Sequence, residues 1–344
     1  MFLYQYELGK ACDILVKELF KLKPGETFVI TADTESDPRV VDAAASAAFA
    51  ISAKPMVIWS PSPLIEGKLA DSILPLKSLT GALMGADAWL EINNKQIFDS
   101  TPSQIALKDN KKLRYLGLTG ATVSMIVRCI GRVNYPALKE FIHYVANDTK
   151  AARHVRMTTP AGTDVEFDNF PDQELGIEDG YADKPGVHWM PGQIGWLPDR
   201  KSINGVIVFD GSLVPPCGVL SEPICLTMKE GEIVKIEGGT QAREFELWLN
   251  KLNHPQMRKV AHATYGFLPG AKLSGMIAED ERIWGCTVWG FGSTSKESAP
   301  SHTDGICLDT SVWLDGKQLT DKGKVVDAKL IKLTKKTWES LTSN

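Results

Sequence analysis

Over its first 150 residues this chain alternates between helical and strand-like hydrophobic patterns, and no other feature narrows the fold as much. "LGKACDILVKELFKL" carries apolar residues at helical spacing and stops at "KPGE". "TFVITAD" is a short β-rich run, "DPRVVDAAASAAFAISA" reads as a helix and "KPMVIWS" as a second strand. "ADAWLEIN" and "LRYLGLTG" read as two more strands with helical segments around them. Repeated β–α alternation predicts a parallel sheet with helices packed on it, and so a Rossmann-like α/β domain over 1–150. The Gly pair of "LGLTG" (116–120) lacks the GxGxxG spacing, so a dinucleotide site is not expected.

From residue 151 the pattern changes. "VRMTTPAGTDVEFD", "INGVIVFDGS", "ICLTMKEGEIVKIEGG" and "CLDTSVWLDGKQL" alternate polar and apolar residues around Gly-centred turns. One helix, "TQAREFELWLNKLN", interrupts them. A β-rich α+β domain over 151–344 is expected, with its boundary near "NDTKAARH". The tail "LIKLTKKTWESLTSN" is basic and partly amphipathic, and suits docking on its own body or on a neighbouring subunit.

Composition then excludes several functions. With 43% hydrophobic and 23% charged residues among 344, the chain can bury a large core. A net charge of −4 argues against nucleic acid as the main partner. The six cysteines form no CxxC pair, so neither a zinc ribbon nor a disulfide framework is expected. The start lacks the basic and apolar regions of a leader, and no apolar run reaches membrane-spanning length. A cytoplasmic protein with reduced thiols, not bound to membrane, is the expectation.

The chemistry-bearing residues cluster after residue 160, where four of the six histidines lie. His143 and His154 read as surface histidines, and His254, before a proline, as a helix C-cap. In "PSHTDGICLD", His302 and Asp304 are two apart in a strand-like run and so share a face. A polar strand end explains the pair as well as a metal does. With His262 of "KVAHATYGFLPGAK", however, they supply two imidazoles and one carboxylate, the facial triad of mononuclear non-haem iron sites, which zinc also accepts. Ser293 and Ser298 offer hydroxyls in the loop before His302, which otherwise reads as a polar hairpin. The stretch 177–198 packs Glu178, His188 and two tryptophans among glycines and prolines. It suits a flat aromatic ligand and proton transfer, or a structured loop covering the sheet.

The segments "GYADKPG…HW", "NGVIVFDGS", "LPGAKLSGMIAEDERIWGCTVWGFG" and "SHTDG" resemble the superfamily of aminopeptidase T/S-type metallopeptidases, and within it the 2,5-dihydroxypyridine dioxygenase branch. The resemblance covers about 160–316 in sequence and is architectural before that. It implies His262, His302 and Asp304 as metal ligands, Glu178 as acid/base, and His188 and Ser293 as groups that orient the substrate. Where the two-metal peptidases carry Glu, Glu and His, this chain has Gln193, His262 and Val288. The departures imply one metal rather than two. A histidine the dioxygenase relative carries near 93–104 has no counterpart here.

The resemblance thus implies an Fe(II) extradiol-type dioxygenase, with Mn or Zn as other metals the donors accept. Its partners would be O2 and a small hydroxylated aromatic or N-heteroaromatic ring such as a dihydroxypyridine, and its assembly a homo-oligomer. The alternative is an aminopeptidase- or amidase-type hydrolase using a metal-bound water.

Overall fold

The structure is a computed structural model that describes residues 4–294 and 296–342. The chain forms two compact units, Met1–Val133 with Gly180–Pro191, and Asn134–Asp179 with Gly192–Asn344.

The first unit is built on the expected parallel sheet. Its strand order is Lys54–Ser60, Thr27–Asp33, Ala88–Glu91, Arg114–Gly117 and Gly186–Trp189, and every pairing is parallel. Parallel strands are covered on both faces and so read as continuous apolar runs; from Phe28 to Asp33 every residue of the Thr27–Asp33 strand is buried. Helix Pro38–Ala50 follows it, started by Asp37, whose side chain accepts from the Arg39 N–H, and by proline at the first helical position. The fifth strand comes from the 177–198 stretch, which forms short strands in both units rather than a covering loop.

Glu91 ends the central Ala88–Glu91 strand fully buried. Its carboxyl accepts from the Tyr115 hydroxyl at 2.8 Å and the Ile97 N–H at 2.5 Å. Burial nevertheless pushes it up from 4.5 to about 8, with Glu66 and Asp99 adding to the rise. The folded chain therefore keeps a proton that the unfolded chain releases, and stability falls as pH rises from about 4.5 to about 8. Glu91→Gln should flatten that part of a pH–stability curve followed by urea unfolding; an unchanged slope would assign it to other groups.

The second unit contains two antiparallel sheets. One runs Glu232–Gly238, Ile224–Lys229, Asn204–Phe209, Asp164–Asp168, His154–Thr158, Ser311–Leu314, Lys317–Asp321, Lys324–Val325. The other runs Gly218–Val219, Ser212–Val214, His302–Cys307, Thr287–Gly292, Val260–Gly266, Gln193–Trp196, Gly176–Glu178. Side-chain alternation gives the seven-stranded sheet two unlike faces. One face packs on the eight-stranded sheet through aromatic pairs: Trp289 meets Phe167 edge-on at 5.6 Å, and Phe291 meets Phe209 at 6.4 Å. Gly305, opposite Trp289 in the ladder, shares that face, and a Cβ there would lie 2.3 Å from the Phe209 ring. Gly305→Ala should cost about 1–3 kcal/mol through overpacking, read as a lowered melting temperature. The opposite face carries the candidate site.

The C-terminal helix Ala328–Thr342 docks on its own unit, burying Leu330 and Leu333 and setting Trp338 5.6 Å from Trp284. The last two residues of the tail lie outside the described residues. His254 is not a C-cap: Asn253, left-handed at φ 44°, closes helix Thr240–Leu252, and His254 instead caps the short turn Pro255–Arg258. Among the described residues no helix is long and apolar enough to cross a membrane.

Candidate metal centre

Three strands of the seven-stranded sheet build the candidate centre. His262 lies on Val260–Gly266 and His302 and Asp304 on His302–Cys307, with Thr287–Gly292 between them. The ladder register places His262, Gly290 and Asp304 in one row across the three strands. Gly290 is what lets the row close. A Cβ there would be 2.3 Å from His262 Nε2, so only glycine leaves the imidazole room to lean across the middle strand.

The donor atoms meet in a small triangle. His262 Nε2 is 3.0 Å from Asp304 Oδ1, His302 Nε2 is 3.2 Å from the same oxygen, and the two Nε2 atoms are 3.1 Å apart. Metal–ligand bonds of about 2.1 Å set donors about 3.0 Å apart at right angles and about 3.4 Å apart at tetrahedral angles. The triangle thus matches one face of an octahedron, which leaves the opposite three positions open. Donor set and spacing both fit a divalent transition metal.

The far nitrogens are held as ligating imidazoles require. His302 Nδ1–H donates to the Ser293 carbonyl at 2.9 Å, which fixes the tautomer and leaves Nε2 free to ligate. His262 Nδ1 is 2.9 Å from the Thr264 hydroxyl. Thr264→Val should therefore weaken metal binding about 10–100-fold with the fold intact, as measured by competition with a chelator; unchanged affinity would remove Thr264 from the site. Burial alone would raise Asp304, but His302 and His262 outweigh it and hold the carboxyl well below the usual carboxylate range. Burial likewise opposes charge on His302, yet Asp304 and the Ser293 carbonyl raise it to about 9. A cation must displace that proton, so its binding tightens as pH rises.

Of the other residues singled out in the sequence, Glu178 lies in the second unit with the triad, on the same sheet face. It pairs with Gln193, which pairs with Gly266 on the strand of His262. Ser293 contributes its carbonyl to His302, while its hydroxyl accepts from the Ala299 N–H at 3.4 Å. His188 belongs to the first unit, on strand Gly186–Trp189, with Nε2 2.9 Å from the Lys184 carbonyl oxygen.

Sequence reading missed Glu281. Its carboxylate accepts from the Gln193 amide at 2.7 Å and from Arg282 at 3.2 Å. Burial raises this carboxyl, and Asp304 raises it further while Arg282 and His262 oppose, so Glu281 lies within the field of the triad. The available signal was the charged run Glu279–Arg282 of "AEDERIW" set between apolar segments, since charges that become buried must be paired. Val288 is fully buried among Cys286, Ile306 and Ile283, so hydrocarbon occupies that position.

This architecture is that of known solved structures. The structure of 2,5-dihydroxypyridine dioxygenase from Pseudomonas putida KT2440 superposes with a TM-score of 0.79 at 21% identity, covering 95% of this chain and 99% of that one. Wild-type AmpT from Thermus thermophilus superposes with a TM-score of 0.68 at 12% identity, covering 94% and 100%. Among curated protein sequences none matches. Fold and donor set together thus define a class, an AmpT-like scaffold carrying a two-histidine, one-carboxylate cluster. Within that class, the chain belongs to the NicX family, 2,5-dihydroxypyridine 5,6-dioxygenase, which it matches over residues 13–327. It is accordingly an oxidoreductase of the dioxygenase type.

Proposed function

We propose that this protein opens a dihydroxylated pyridine ring with O2, in extradiol fashion, at a single iron(II) held by His262, His302 and Asp304. The observation that carries the reading is the donor triangle, whose 3.0–3.2 Å edges favour a right-angled site over a tetrahedral one. Bound there, iron(II) would supply the redox chemistry that lets O2 react with an aromatic ring.

The chain's own groups supply proton control and orientation. Glu178 takes the proton of the ring hydroxyl at its carboxylate oxygen, which makes the ring electron-rich. The Ser293 carbonyl keeps His302 in its ligating tautomer. Orientation of the ring by His188 and the Ser293 hydroxyl is part of the same proposal, as are a cytoplasmic location and a homo-oligomeric assembly.

The hydrolytic alternative calls for a metal-bound water as nucleophile, with two metals in the peptidases. The buried Val288 cluster and the neutral Gln193 argue against a second metal. The test is anaerobic purification, loading with iron(II) and O2 uptake on dihydroxypyridines and catechols. One O2 consumed per ring opened is expected. No uptake from protein carrying one iron per chain would sink the reading, and amino-acid release from peptides would support the hydrolase.

A further inference from the structure

Two side chains near the triad have bonding capacity that the reaction as proposed leaves unused. Both donors to Glu281, Gln193 Nε2 and Arg282 Nη1, reach the same oxygen, Oε2. Oε1 takes no hydrogen bond among the described residues. The side chain is only 15% exposed, so this oxygen is an acceptor in a largely dry setting. The Gln193 amide has two N–H groups and uses one. The pair therefore offers one acceptor and one donor side by side.

Their place in the sheet puts this pair beside the cluster. Gln193 projects from the face that carries the triad, paired with Gly266 on the strand of His262. The next row on that face is Gly195 opposite Thr264, the residue that holds His262. Gly195 and Gly266 are bare on this face, so in the row between Gln193 and the donor triangle the side chains are those of Thr264 and, one strand further, Val288. Glu178, the proposed base, flanks Gln193 on the outer strand.

We infer that Glu281 and Gln193 form the specificity pair of the site, reading the N–H and C=O edge of a hydroxypyridone. Oε1 of Glu281 accepts the ring N–H, and the second amide N–H of Gln193 donates to the neighbouring ring oxygen. A 2,5-dihydroxypyridine in its pyridone form carries that donor and acceptor on adjacent atoms. Hydroquinone has the same outline, with C–H in place of N–H. The inference rests on the proposed function for the choice of ring, but concerns recognition and not the oxygen chemistry.

The test is calorimetric titration of the iron-loaded full chain, without O2, with 2,5-dihydroxypyridine and with hydroquinone. A hydrogen bond to a buried charged group corresponds to a preference of about tenfold to a hundredfold, so wild type should favour the pyridine by that factor. Glu281→Ala should erase most of the preference, with hydroquinone affinity and one iron per chain retained, whereas Gln193→Leu, which removes the donor to an oxygen that both rings carry, should weaken both. Glu281→Gln, closer in shape, should also reduce it, and serves if the alanine variant does not fold. A preference intact in Glu281→Ala, equal loss for both rings in that variant, unchanged affinity for both rings in Gln193→Leu, or no preference in wild type would overturn the inference. A wild type that prefers the pyridine yet consumes no O2 would overturn the proposed function and leave the recognition pair standing.

Discussion

His302→Ala is expected to yield a folded chain that retains no metal. The triangle depends on all three corners: with His302 gone, His262 and Asp304 offer two donors 3.0 Å apart, too few to hold a divalent ion against water and buffer. Loss of an outer-shell partner alone costs about 10–100-fold in affinity, so removing a ligand should exceed that and bring metal content close to zero. O2 uptake should then fall towards the uncatalysed background, a loss on the order of a millionfold or more. The fold should survive. His302 is half-buried, on the sheet face turned away from the aromatic core, and its main chain keeps its ladder partner Gly292. Metal analysis and O2 uptake on one preparation, with a thermal melt beside them, decide the matter. A variant that still carries one metal per chain would show that the centre has been misplaced.

Much of this was legible in the sequence because the period of the pattern and the chemistry coincide. "TFVITAD" is strand Thr27–Asp33, since a buried parallel strand must be apolar throughout; "KPMVIWS" is the edge strand Lys54–Ser60, legible from its β-branched and aromatic residues although most of it is exposed. His302 and Asp304 share a face because the strand period is two. What stayed hidden depends on neighbours distant in sequence. The 177–198 stretch looked like one loop, yet it supplies strands to two sheets, because a three- or four-residue strand is specified by its partners and not by its own pattern. Ser293 was singled out for its hydroxyl, whereas what reaches His302 is its carbonyl, a group every residue has and no sequence can flag. Glu281 was passed over because a Glu beside an Arg usually marks a solvated surface; burial gives it meaning here.

Gly290 has the same character, and its replacement separates chemistry from stability. In Gly290→Ala the new Cβ would lie 2.3 Å from Nε2, 2.5 Å from Cδ2 and 2.8 Å from Cε1 of His262. Ordinary contact is about 3.5–4.0 Å, so the ring must retreat by about 1 Å. Retreat draws Nε2 away from the other two corners and disturbs the 2.9 Å contact of Nδ1 with Thr264. The obstructing atom meets the far end of a half-buried side chain that can swing aside, not backbone, so the cost in stability should fall below the roughly 1–3 kcal/mol of overpacking a rigid core. Gly305→Ala is the counterpart: it lies on the neighbouring strand but on the other face, against the Phe209 ring, where nothing can yield without moving the aromatic core. Gly290→Ala should therefore lose metal affinity by about 10–100-fold or more, comparable to the loss of a supporting partner, with O2 uptake falling alongside and the melting temperature almost unchanged. Gly305→Ala should melt lower while holding its metal. Chelator competition and thermal melts on both variants give the comparison. A Gly290→Ala protein with wild-type metal affinity would mean that His262 does not reach across the middle strand to complete the site.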